Sequence, residues 1–178
     1  MAERQEVIAD VVEDEAETPD SAHLGDLARA VAARTERRVE RPVQIDDTNV
    51  IEVVARPRQI ERAISNLVDN AVKYSRSGAT IDIVIDIDIV IDIVIVIDGT
   101  SVTVRDRGRG IPPDDLQRVF DRFYRAVDVR TEPGSGLGLS IVEQIVCSHG
   151  GTVFARNRDG GGVEVGFTVP ISVPVSNG

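Results

Sequence analysis

Apolar residues recur at three- and four-residue intervals in some stretches of this chain and at every second position in others, which predicts interleaved helices and strands. Leu24, Leu27, Ala28 and Val31 predict a first helix, capped by Ser21 and closed by about Glu40, ahead of Pro42. Pro57 suits the first turn of a second helix, which runs to about Tyr74 with Ile60, Ile64, Leu67 and Ala71 on one face. Residues 139–149 predict a third, stopped by Gly150 and Gly151. Residues 43–45 and 50–54 flank the polar run 46–49 and read as two strands joined by a tight turn. Residues 101–105 form a short strand, and 152–156 with 163–169 a final antiparallel pair across 157–162. Pro112 opens a brief helix through Phe120, and 121–133 is a polar, Arg-rich loop.

Between 81 and 97 every odd position is Ile and the even ones are Asp or Val. A strict period of two specifies β-strand, yet a single strand of this length would reach about 55 Å, well beyond the usual sheet of a domain. Three accounts stay open: an overlong strand projecting from the sheet, a hairpin with a strained Asp-containing turn, or self-association through the same stretch of another molecule. The Asp row is a charged solvent face rather than a cation site, and the stretch carries no chemistry.

The 178 residues suit one domain over 21–170, after a linker or the end of a preceding helix over 1–20 and before a tail over 171–178. A net charge of −10 and the absence of Trp argue against a nucleic-acid surface. The single cysteine, Cys147, cannot pair internally, which suits a reducing compartment, and its position on an apolar helix reads as a small buried hydrophobe. No leader opens the chain and no run is apolar enough to span a bilayer, so no membrane contact and a cytoplasmic location are expected.

Candidate chemistry gathers at three places. Gly134-Ser135-Gly136-Leu137-Gly138-Leu139 runs straight into the third helix, so a tightly turned backbone leads to unpaired N–H groups at a helix start, a phosphate cradle in outline. Glycine before a helix is also ordinary loop chemistry, but two further features accompany it. Asp106-Arg107-Gly108-Arg109-Gly110-Ile111 is a glycine turn led by an acid that can accept from an exocyclic amine and so favour adenine. On the second helix Asn66, Asn70 and Lys73 fall on one flank, beside the apolar face. An Asn oxygen can help hold Mg²⁺, and a Lys ammonium can meet phosphate. No Walker-type glycine–lysine sequence is present.

This set resembles the catalytic ATP-binding domain of bacterial sensor histidine kinases, within the group that includes gyrase-, Hsp90- and MutL-type ATPases. Residues 66–75 are similar to the N box, 106–111 to the first glycine box, 119–125 to the F box and 134–139 to the second glycine box. The resemblance implies an α+β fold of Bergerat type, a two-layer α/β sandwich with helices on one face of a mixed, mainly antiparallel sheet. It implies ATP and Mg²⁺ as ligands, with Asn70 on the metal, Asn66 supporting it, Lys73 on phosphate and Tyr74 against the adenine. Asp106 would accept from the adenine amine, in a turn shaped by Gly108, Gly110 and Ile111. Phe120 and Phe123 would anchor a lid, Arg122 or Arg125 would reach the γ-phosphate, and Gly134, Ser135, Gly136, Leu137, Gly138 and Leu139 would form the lid's hinge against the phosphates.

The family's phosphorylated histidine is not matched, since His23 and His149 lack its setting and read as structural. The implied function is therefore phosphoryl transfer to a histidine on a separate dimerisation domain and, through it, to a response regulator, in a parent protein anchored in the membrane. A serine kinase of the anti-sigma type, or a non-catalytic ATP-binding module, would share the pocket.

Overall fold

A computed structural model of the chain describes residues 17–47, 52–75, 93–124 and 135–171. Three helices pack on one face of a mixed five-stranded sheet, an α+β architecture as expected. The helices are α1 (Leu24–Val39), α2 (Pro57–Tyr74) and α3 (Gly138–Ser148). The sheet runs in the order β2 (Val43–Asp47), β4 (Ile93–Asp98), β5 (Ser101–Asp106), β7 (Val163–Thr168), β6 (Thr152–Asn157). Among the described residues only β2–β4 is parallel. A separate two-stranded ribbon pairs β1 (Asp20–His23) with β3 (Glu52–Ala55).

Alternation decides which side chains meet the helices. Ile93, Ile95 and Ile97 of β4, Val102 and Val104 of β5, and Val165 and Phe167 of β7 all point inward and are buried. Their register places Ile95 opposite Val104 and Val104 opposite Val165, so one apolar layer crosses three strands. The second layer comes from α2, whose Ile60, Ala63, Ile64, Leu67, Val68 and Ala71 recur at helical spacing and are all buried. Along the α1–α2 seam Arg34 pairs with Glu61 and Arg38 with Asp69.

Several expectations need correction. The hairpin expected between 43–45 and 50–54 does not form, because β2 pairs parallel with β4 and β3 pairs with β1. A polar run between two apolar runs signals a reversal of the chain but not which strand each run finds. Ser21 does not cap α1; residues 20–23 are strand and His23 holds the N-cap position. Cys147 is exposed, since it lies about 140° around α3 from the buried Val142. Of the Ile/Asp repeat, 81–92 lies outside the described residues, while 93–97 sits mid-sheet with β2 on one side and β5 on the other. Both hydrogen-bonding edges of that part are taken, so it is not an edge for another molecule.

Candidate functional site

Parts of the chain that lie far apart close around one cleft of about 280 Å³. The first wall is α2, where Asn66, Asn70 and Lys73 stand at spacings of four and three and so share a flank within about 60°. Tyr74 ends that wall, with the Lys73 ammonium 4.9 Å from its ring centre. The Asn66 amide is oriented by its own helix: Nδ2 donates to the Arg62 carbonyl at 3.0 Å. Its Oδ1 is then directed at the start of α3, where a Cβ on Gly138 would stand 3.5 Å away.

The opposite wall comes from the end of β5. Its inward row runs Val102, Val104, Asp106, so a carboxylate occupies a position where the alternation calls for an apolar side chain. Asp106 is only 3% exposed. Oδ1 accepts from the N–H of Gly108 at 2.7 Å and of Val163 at 3.3 Å, and Oδ2 takes no hydrogen bond from the described residues. Burial pushes the carboxyl above its ordinary range, against a smaller pull downwards from those two N–H groups and the Arg158 charge. The glycine that follows closes the wall onto α2. A Cβ at Gly108 would lie 2.4 Å from the Tyr74 carbonyl, so only a bare backbone lets Tyr74 and Asp106 line the same cavity.

The floor is the glycine loop, with Ser135, Gly136, Gly138 and Leu139 lining the cleft and Gly136 at φ +71°. Leu137 holds the N-cap position of α3 without a side-chain cap, so that helix start lies open beside the cleft. The Phe123 N–H donates to the Gly136 carbonyl at 3.1 Å, which ties the aromatic run to this loop.

Asn66, Asn70, Lys73, Tyr74, Asp106, Gly110, Ile111, Ser135, Gly136, Gly138 and Leu139 thus share one cavity. Gly108 and Leu137 support the walls without lining it. Phe120 is buried in the core and Phe123 is 72% exposed. Its backbone is left-handed, at φ +62°. Arg122 is also not on the cleft: its guanidinium donates to Gln144 of α3 at 3.3 Å. Arg125 and Gly134 lie outside the described residues.

Other residues enter the site without having been expected there. Asp69, Arg109, Pro112, Val119, Tyr124 and Val163 also line the cleft. Tyr124 belongs to the same aromatic run and carries Arg118 over its ring at 4.6 Å; Val163 follows a glycine turn and gave no signal of its own. Both histidines lie off the cleft. His149 Nδ1 sits 2.7 Å from the Ile145 carbonyl and so carries the proton, leaving Nε2 to accept from the Arg56 N–H at 3.1 Å. Glu17 accepts from the next two N–H groups of that helix start, those of Arg58 and Gln59.

The described residues hold no cluster of three or more His, Cys, Asp or Glu able to cage a metal. The cleft instead offers the side-chain amides of Asn66 and Asn70, while Asp69, which also lines it, is engaged by Arg38. Such a sparse set of hard oxygens suits a Mg²⁺ ion that keeps most of its coordination for phosphates and water. No helix among the described residues is long and apolar enough to cross a membrane.

The family described as histidine kinase-, DNA gyrase B- and HSP90-like ATPases matches residues 55–173. Sensor histidine kinase WalK of Bacillus subtilis (strain 168) is 37% identical over 114 residues, 63% of this chain and 18% of that protein. The structure of the mycobacterial sensor histidine kinase MprB superposes with a TM-score of 0.67 at 26% identity, covering 86% of this chain and 97% of that one. Full-length ShkA in complex with AMPPNP gives 0.66 at 26% identity, covering 87% and 31%. The chain spans less than a third of the length of the first curated relatives it matches.

Proposed function

This chain belongs to the histidine kinase-, DNA gyrase B- and HSP90-like ATPase family and is an ATPase domain of the histidine kinase type, and from that premise we propose that its cleft positions Mg²⁺-ATP for phosphoryl transfer to a histidine on a dimerisation domain outside this chain. The observation that carries the reading is the convergence of Asn70, Asp106 and Gly136 on one cavity. The parent is a two-component sensor kinase that passes the group on to a response regulator, with this domain on the cytoplasmic side of a membrane anchor.

Each residue has a role its surroundings favour. Asp106, with Oδ1 committed to two backbone N–H groups, accepts from the adenine amine through Oδ2. Tyr74 lies against the base. Lys73 meets the phosphates as a point charge, and the turned backbone at Gly136 and the uncapped start of α3 supply N–H groups and a positive dipole end. Asn70 is the protein ligand for Mg²⁺, supported by Asn66; when bound, the ion spreads charge over the phosphate oxygens. Catalysis is then mostly positioning and electrostatics, with the nucleophile supplied by the partner domain. Neither His23 nor His149 lines the cleft, so neither serves as the acceptor.

The test is incubation with γ-labelled ATP and an added phosphoacceptor domain of a sensor kinase. Acid-labile label on the acceptor's histidine is the expected result. Binding of ATP without transfer to any acceptor domain offered would reduce the domain to a nucleotide-binding module.

A further inference from the structure

Asn157, the last residue of β6, makes two hydrogen bonds that no strand ladder requires. Its Oδ1 accepts from the Ile111 N–H at 2.8 Å and its Nδ2 donates to the Ile111 carbonyl at 2.7 Å. One side-chain amide thus satisfies both backbone groups of a single residue, as a paired strand would, in a loop that has left the sheet. The hairpin that begins at Asn157 grips the same loop at its other end. Arg158 donates to the Asp106 carbonyl at 2.9 Å, and the Val163 N–H reaches Asp106 Oδ1. The turn 106–111 is therefore held at both ends by a segment that reaches the cleft only at Val163.

Gly110 shows how closely the amide sits. A Cβ there would stand 2.9 Å from Asn157 Oδ1, and φ is +80°, so the glycine is required by the protein's own clamp whether or not a ligand is present.

We propose that Asn157 is a positioning residue for base recognition: it fixes Ile111 and Gly110, and through them the turn that presents Asp106, without touching the nucleotide. This rests on the reading of the cleft as an ATP site. With Ile111 unclamped, the turn samples arrangements in which Asp106 Oδ2 and the Ile111 wall no longer face the base together. Apparent affinity falls in proportion to the fraction of molecules still competent. Losing two solvent-exposed hydrogen bonds, toward the weak end of the usual net range, lowers that fraction to roughly one tenth. The loss belongs to the base and not to the phosphates, because Asn66, Asn70, Lys73 and the start of α3 stand on other elements.

The experiment is displacement of a fluorescent ATP analogue by ATP and by GTP, on wild type, Asn157→Ala and Asp159→Ala, each checked by melting for a cooperative fold. Asp159 lies in the same hairpin and makes no hydrogen bond or ion pair with the 106–111 turn, so its variant should match wild type. Asn157→Ala should bind ATP about tenfold more weakly while GTP changes by less than about twofold, which narrows the preference for adenine. If wild type binds ATP and Asn157→Ala keeps both its affinity and its preference, the clamp is not a positioning device. An equal loss for ATP and GTP also overturns it, since that is general loosening. If wild type binds neither nucleotide, the ATP reading fails first and takes this inference with it.

Discussion

Asp106→Asn should raise stability and abolish nucleotide recognition in the same molecule. Asn has the shape of Asp, and its oxygen can keep the hydrogen bonds from Gly108 and Val163 while its NH₂ replaces Oδ2. An adenine amine then meets a donor instead of an acceptor. One charge-assisted hydrogen bond is lost and a buried donor is left unpaired, together about 3–4 kcal/mol, or roughly a hundred- to a thousandfold in affinity. Stability moves the other way. The ordinary value for this carboxyl is 3.8, and burial raises it in the folded chain. Between those two values the native state holds more protons than the unfolded one, so stability is fully present below 3.8 and falls as pH rises through the raised native value. Asn carries no proton to lose, so at pH 7 the variant escapes that penalty. Calorimetric melting at several pH values, beside titration with an ATP analogue, checks both halves. The variant should melt at or above wild type at pH 7, with the gap narrowing as pH is lowered. Wild-type affinity in the variant, or a melting point well below wild type at pH 7, would refute the account of Asp106 as a buried base-reading carboxylate.

Asn70→Ala should remove the part of binding that depends on the ion: wild type should hold an ATP analogue at least about tenfold more tightly with Mg²⁺ than with chelator, and the variant equally in both, as titration would read. Glu17→Ala strips the start of α2 of a carboxylate that accepts from the Arg58 and Gln59 N–H groups. It should cost about 1 kcal/mol, a drop of roughly 2–4 °C in melting temperature by calorimetry.

Much of this fold was legible because periodicity is a property of one element at a time. α2 follows from Pro57 and its apolar spacing, and β4, β5 and β7 from alternation that the register then stacks into a single layer. Pairing was not legible where it crosses the chain. Strands expected over 43–45 and 50–54 form over 43–47 and 52–55, yet they join different sheets, because alternation within a run says which face is apolar and not which strand lies beside it. Cys147 shows the same limit in miniature: an apolar helix has a solvent side, and hydrophobicity alone does not say which residue faces it.

At the cleft the same division holds and carries a consequence for reading glycine motifs. Asn66, Asn70 and Lys73 were visible through their spacing, and Asp106 through its place at the end of a strand, because these signals lie within one element. Asn157, Glu17 and the Arg38–Asp69 pair act between elements, and in sequence each is only a turn residue, a linker acid or a surface charge. Gly108 and Gly110 belong to both classes. Their presence reports crowding, and the resemblance to a nucleotide-binding turn attributes it to the ligand. The crowding atoms are in fact the Tyr74 carbonyl and the Asn157 amide. Substituting either glycine therefore damages the walls before any nucleotide arrives, and weakened binding in such a variant would not by itself place the glycine against the ligand. Asp106→Asn and Asn70→Ala, which leave the backbone alone, are the substitutions that separate recognition from architecture.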